Sequence, residues 1–135
     1  MSGSRRKGQN GQREAAALWK LAGFKNAKHS GMLQQGFAGG SHGPDIFDVG
    51  RWWVEGKRWK TYTDKQVFDW WTQLIKECPK THDPVLMYRR NNGGWLVQTM
   101  EHERPITWSS FVEEIKKRKK RTRATIGRKL QPIAK

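Results

Sequence analysis

The sequence predicts an α/β fold, on three observations. Three segments repeat apolar residues at helical spacing, four short β-prone runs pair off around glycine-containing turns, and the two kinds of segment alternate along the chain. At 135 residues there is material for one core, hence a single domain. Hydrophobic residues make up only 35% of the chain, but eight Trp and five Phe give that core large areas to bury, so a folded body is expected.

The elements follow in order. Residues 1–9 read as a flexible basic arm: Gly3, Ser4 and Gly8 offer nothing to a core, while Arg5, Arg6 and Lys7 offer charge. From about Asn10 to Ala22, Ala15, Leu18, Leu21 and Ala22 recur at helical spacing and Gly23 supplies a stop. Residues 25–43 read mostly as loop, with Met32, Leu33 and Phe37 available to tuck it onto the body. Pro44–Asp48 and Trp52–Trp59 then flank Val49-Gly50-Arg51, which is most economically a β-hairpin. Between Thr63 and Cys78, Val67, Trp70, Trp71, Leu74 and Ile75 form an amphipathic stripe that Thr63 can cap and Pro79 ends.

Pro84–Arg89 and Trp95–Met100 are strands joined by Asn91-Asn92-Gly93-Gly94. A third helix runs from Thr107 to about Lys120, with Trp108, Phe111, Val112 and Ile115 on one side and Thr107 or Ser109 as its cap. Ten of residues 116–135 are Lys or Arg, so this stretch reads as a basic C-terminal arm and the domain proper as residues 10–115.

Against 27 Lys and Arg stand 12 Asp and Glu, a formal net charge of +15, which points to a polyanion and first of all to nucleic acid. A lone cysteine, Cys78, excludes an internal disulfide or a cysteine-based zinc cluster and fits a reducing cytoplasm. No apolar run approaches the ~20 residues of a membrane helix, and Met1–Arg13 is polar and basic, unlike a secretion leader.

The chemistry gathers on the hairpin. Side chains alternate along a strand, so Trp53, Glu55, Lys57 and Trp59 share one face while Val54, Gly56 and Arg58 share the other. A tight turn near Gly50 sets Asp45 roughly across from Glu55, bringing two carboxylates and one ammonium together. Carboxylate oxygens suit a hard cation, Mg²⁺ or Mn²⁺, that polarises a phosphodiester and lowers the pKa of bound water, while a lysine steadies developing negative charge. Gly56 leaves the backbone between them open to a metal or phosphate. The alternative is a solvated hairpin, since Glu-x-Lys is common in a chain that is 29% charged.

The four histidines, His29, His42, His82 and His102, show no i, i+4 pairing on a predicted helix, which argues against a histidine-based zinc site. The tryptophans at 53, 59, 70 and 71 are first of all core material, and any left exposed are free to stack on unpaired bases or form a dimer interface.

Taken together these residues resemble the PD-(D/E)xK nuclease superfamily, and within it the archaeal-type Holliday junction resolvases and their viral relatives. The resemblance spans about residues 6–100. Arg6-Lys7-Gly8, four residues, then Arg13-Glu14 and a helix ending at Gly23-Phe24 looks like the start of that family. Gly40-Ser41 leading to Asp45 is similar to its Gly-Ser loop, Glu55-x-Lys57 to its Glu-x-Lys strand, and Pro84-Val85-Leu86 with Gly94-Trp95 to its last core hairpin.

The resemblance implies a restriction-endonuclease-like mixed sheet flanked by helices. It also implies a homodimeric, metal-dependent endonuclease that resolves four-way DNA junctions by paired nicks. Asp45, Glu55 and Glu14 would be metal ligands, with Lys57 and Ser41 completing the catalytic set. Without the family, Glu14 is a carboxylate at the favourable end of a helix dipole and Ser41 a turn residue. Expected DNA contacts are Arg5, Arg6 and Lys7 of the arm, Arg13, Lys28, Arg58 and Lys60 beside the motifs, and Lys116, Lys117, Arg118, Lys119, Lys120 and Arg121 of the tail. The setting is cytoplasmic and DNA-associated, and the viral relatives extend it to a virus-encoded enzyme in a host cell. The alternatives are a less selective nuclease of repair or restriction type, and a basic nucleic-acid-binding protein without catalysis.

Overall fold

The structure, a computed structural model, describes residues 2–30 and 43–118, with residues 2–10 as backbone alone. Six strands form one mixed sheet and lie side by side in chain order: β1 (Lys28–His29), β2 (Ile46–Phe47), β3 (Trp52–Trp59), β4 (Asp83–Arg90), β5 (Leu96–Thr99) and β6 (Ile106–Thr107). Helix α1 (Ser2–Leu21) and helix α3, residues 108–118, pack on one face of the sheet, and α2 (Asp64–Glu77) packs on the other. The described chain is therefore a small α/β domain with helices on both faces of its sheet.

All neighbouring strands are antiparallel except β3 and β4, which run parallel from Trp52↔Asp83 to Trp59↔Arg90. Parallel neighbours need a crossover, and α2 is that crossover. It starts at a capping box in which the Thr63 hydroxyl accepts the Gln66 N–H at 3.2 Å and the Gln66 side chain accepts the Thr63 N–H at 2.8 Å. Its apolar stripe, Val67, Trp70, Trp71 and Leu74, closes over Leu86 and Tyr88 of β4.

Being central, β4 is buried on both faces, with Val85 and Met87 turned to the α1 side. There Trp19 is fully buried, in edge contact with Phe24, Trp108 and Phe111, and its indole N–H donates to Met87 Sδ at 3.1 Å.

The hairpin of β2 and β3 turns through Asp48 and Gly50, both at positive φ (62° and 68°), a backbone state that glycine adopts without strain. The α3 start is capped by Thr107, whose hydroxyl accepts the Ser110 N–H at 3.2 Å.

One expected boundary moves. Residues 2–9, read as a flexible arm, are the first turns of α1: once Ala15, Ala16 and Trp19 hold the helix against the sheet, further turns propagate without a new nucleation cost, and Arg and Lys are good helix formers. Helix α3 runs through residue 118, in keeping with the helix expected from Thr107 to about Lys120; Arg118 lies over the Trp52 ring at 5.2 Å and pairs with Glu101, so its guanidinium is held on the body. The segment read as loop contains β1, and β6 adds a second two-residue edge strand, too short to leave a period in the sequence. Ser41, His42, Lys119, Lys120 and Arg121 lie outside the described residues.

Helix α1 approaches β3 closely at Gly11, where an added Cβ would stand 3.0 Å from Arg58 Cβ. That atom is fixed to the β3 backbone and cannot swing away. Gly11→Ala is therefore expected to forfeit the ~1 kcal/mol that removing a helical glycine normally yields, and Gly11→Val to cost about 1–3 kcal/mol through overpacking. Urea unfolding of the two variants checks both.

Candidate active site

Strand β3 alternates as its sequence requires. Val54 enters the core on the α1 side and Arg58 reaches Glu14 on α1, whereas Trp53, Lys57 and Trp59 contact groups on or beside α2. Glu55 lies between them, its carboxylate 3.7 Å from the Lys57 ammonium. The ammonium also sits 5.9 Å from the centre of the Trp70 ring, so Lys57 is held between a carboxylate and an aromatic face.

Asp45 meets this strand at the edge of the sheet. Ile46 pairs with Val54, and one residue further on that register sets Asp45 opposite Glu55. The Asp45 N–H donates to Val54 O at 2.7 Å, and its carboxylate accepts the Gly56 N–H at 2.9 Å. Because β2 begins at Ile46, the Asp45 side chain takes the place a further β2 residue would have on the β3 ladder. In extended backbone the N–H and C=O of a residue point to the same side, so the Gly56 carbonyl faces that edge too. A Cβ on Gly56 would meet nothing within 4 Å, so neighbouring protein atoms do not dictate glycine there.

A polar relay holds Asp45 from behind. The Gln12 amide donates to the other carboxylate oxygen at 3.4 Å, the Ser30 hydroxyl donates to Gln12 at 3.0 Å, and the Ser30 N–H donates to Asp45 O at 2.7 Å. Helix α1 and the end of β1 thus both anchor this carboxylate.

The site is electrostatically strained. Burial, opposed by the Gly56 hydrogen bond and aggravated by Glu55, pushes Asp45 up to about 6. Burial also raises Glu55, with Lys57 pulling the other way. Glu77, in the last turn of α2 and held by the Gln73 amide at 2.8 Å, adds negative charge that raises both.

The structure thus brings Asp45, Glu55 and Lys57 together. Glu14 has two cationic partners: its oxygens accept from Arg58 at 2.6 Å and Arg89 at 2.7 Å. Arg58 is correspondingly half-buried and paired with Glu14. Arg13, Lys28, Lys60, Lys116 and Lys117 are exposed. Of the histidines, His29 is buried in β1, His82 lies against Trp53 and His102 pairs with Glu114 at 2.9 Å.

Sequence reasoning missed Gln12, Ser30 and Glu77. Two of them carry a signal. Gln12 precedes Ala15, Ala16 and Trp19 by three, four and seven residues, which makes it a polar residue on the buried stripe of its helix. Glu77 puts a negative charge in the last turn of a helix, where the dipole disfavours it.

Among the described residues no three of His, Cys, Asp and Glu gather closely enough to enclose an ion by themselves. What the chain offers is an all-oxygen platform of two carboxylates beside a backbone carbonyl, and Mg²⁺ is commonly held by one or two carboxylates with phosphate oxygens and water completing the shell. The residues therefore fit a hard divalent cation. Compared with protein-family models, with curated proteins and with solved structures, the chain finds no match.

The raised Asp45 pKa has a signed consequence. Because the folded value exceeds the unfolded one, its contribution to stability is fully present below about pH 4 and is lost as pH rises through about 6. Asp45→Asn keeps an acceptor for Gly56 without the charge. In metal-free buffer at pH 7.5 this variant is expected to exceed the parent in stability by up to ~3 kcal/mol, and to lose that advantage below pH 4. Urea titrations across pH check the sign and the crossing.

Proposed function

We infer that this protein is a metal-dependent endonuclease acting on branched DNA, with four-way junctions as its leading substrate. The observation that carries the reading is the convergence of Asp45, Glu55 and Lys57 where the β2–β3 pairing ends, in a chain of net charge +15. The order of α1, the β2–β3 hairpin, the crossover α2 and the parallel strand β4 supports a restriction-endonuclease-like arrangement. The resemblance of the Asp45 and Glu55-x-Lys57 motifs to junction resolvases supports the choice of branched DNA and a homodimer, whose two sites would face opposite strands.

In this reading Asp45 and Glu55 would hold a divalent cation, Mg²⁺ or Mn²⁺, which when bound supplies Lewis-acid polarisation of the phosphate and a more acidic water. The remaining work falls to the chain. Lys57, fixed between Glu55 and Trp70, places a positive charge where negative charge develops on the phosphate. Gln12 and the Gly56 N–H fix the direction of the Asp45 carboxylate, so no reorganisation is needed at the moment of reaction. The crowding of Asp45, Glu55 and Glu77 raises the free energy of the ionised apo site and so favours cation uptake. The exposed Lys and Arg side chains and the basic tail would neutralise backbone phosphates without reading sequence.

With Mg²⁺, the wild type is expected to nick a labelled immobile four-way junction in symmetric pairs, faster than a flap or a linear duplex of matched sequence. Lys57→Ala should lower that rate by about 100-fold or more while still binding the junction. Equal cutting of all three substrates would leave a less selective nuclease, and no cutting with either ion would leave a DNA-binding protein. Thermal melting gives a readout independent of turnover: Mg²⁺ should raise the wild-type midpoint and leave that of Asp45→Asn unchanged.

A further inference from the structure

Trp59 is the one face-mate of Glu55 and Lys57 on β3 whose ring is left in solvent. It is 43% exposed, whereas Trp53, Trp70 and Trp71 are half-buried in the cluster beneath α2. The indole is not loose. Its ring centre lies 5.1 Å from that of Trp70 at an interplanar angle of 58°, and its carbonyl accepts the Asn91 N–H at 3.0 Å. One side of the ring is thus braced, and part of the residue remains in solvent.

Its neighbours are cations. Lys57 stands two residues back on the same face, Lys60 follows it in the exposed bend, and Arg90 is its register partner on β4. The Arg90 guanidinium is itself held, 4.2 Å from the Tyr62 ring centre and donating to Tyr62 O at 3.3 Å. An apolar protein partner would have to strip water from three positive charges around this ring, which is costly. A nucleic acid strand would neutralise them with phosphates and lay a base on the indole, the combination of charge and aromatic platform that suits unpaired nucleotides. Residues two apart on a strand are separated by about 7 Å, the scale of one nucleotide in an extended strand.

We propose that Trp59 is a base-stacking platform that takes an unpaired nucleotide next to the phosphate engaged at Lys57, and that this stacking makes the protein favour branched over continuous duplex DNA. A base inside a duplex is already stacked on both faces and gains nothing from the indole; one freed at a branch point gains a new partner. Trp59 is on this view a specificity-determining residue of the site described above, and its role rests on the nuclease reading only for the location of the phosphate. Exposed Phe68 and Ile75 of α2 and Met100 after β5 lie off the strand that carries Glu55 and Lys57.

The test reads binding without turnover. A four-way junction and a single-strand flap carry 2-aminopurine at successive nucleotides beside the branch, with a linear duplex bearing the same label as control, and the wild type is added in EDTA. Fluorescence should be quenched at one or two branch-adjacent positions and not in the duplex. Trp59→Leu should abolish that quench and weaken binding to branched DNA by about 10-fold, leaving duplex affinity within about twofold, and Trp59→Phe should restore part of both. Urea midpoints of both variants establish that they fold. Unchanged quenching in Trp59→Leu, or an equal loss of affinity for branch and duplex, overturns the proposal. Absent quenching with Mg²⁺-dependent cutting intact rejects the platform alone; a Trp59-dependent quench without any cutting upholds it and rejects the nuclease reading.

Discussion

The parallel pairing of β3 with β4 is the constraint on which the rest of the structure depends. It is the longest pairing in the sheet, eight residues on each strand, while β1, β2 and β6 contribute two residues each. Two parallel neighbours cannot be joined by a hairpin, so the chain must cross a face of the sheet between them, and α2 does so. The face it crosses is the one that carries Glu55 and Lys57. Had β4 returned antiparallel through a short turn, this face would lack Trp70 to brace Lys57 and Glu77 to raise the carboxylates. The apolar character of β4 on both sides, Val85 and Met87 toward α1, Leu86 and Tyr88 toward α2, follows from the same placement.

Against this rigid pair the acidic edge is arranged at a cost in stability. A buried carboxylate is expensive unless hydrogen-bonded, and among the described residues Asp45 has the Gly56 N–H and the Gln12 amide. Adding Glu55 and Glu77 nearby compounds the repulsion, and Lys57 relieves it only in part. Asp45, which opposes folding in this way, is nonetheless held by the relay through Gln12 and Ser30, the placement the proposed function would use. Glu14 is the contrast: two guanidiniums satisfy it, and it ties α1 to the ends of β3 and β4.

The candidate site was legible wherever its logic was local. Strand alternation put Glu55 and Lys57 on one face, and the short turn around Gly50 put Asp45 opposite Glu55, because both relations are set by residues within about ten positions. The Glu14 assignment, taken from a motif resemblance, met partners 44 and 75 residues away that no spacing rule could supply. Gln12 reaches Asp45 across 33 residues, and Glu77 reaches the site only because α2 folds back over β3. Trp59 reads like Trp53 in the sequence; only the end of the α2 cover separates an exposed ring from a half-buried one.

The sequence by itself determined the three helices and strands β2 to β5, where α2 begins, and how side chains alternate on β3. Those features depend on backbone dihedrals, caps and periods that a few neighbouring residues set. The tertiary structure alone decided the strand order, the parallel register, the edge strands β1 and β6, the extension of α1 ahead of its patterned stretch, and which charges meet. These depend on packing and on exclusion of water between residues far apart in the chain, where the energy of a charge is fixed by its surroundings and not by its neighbours in sequence.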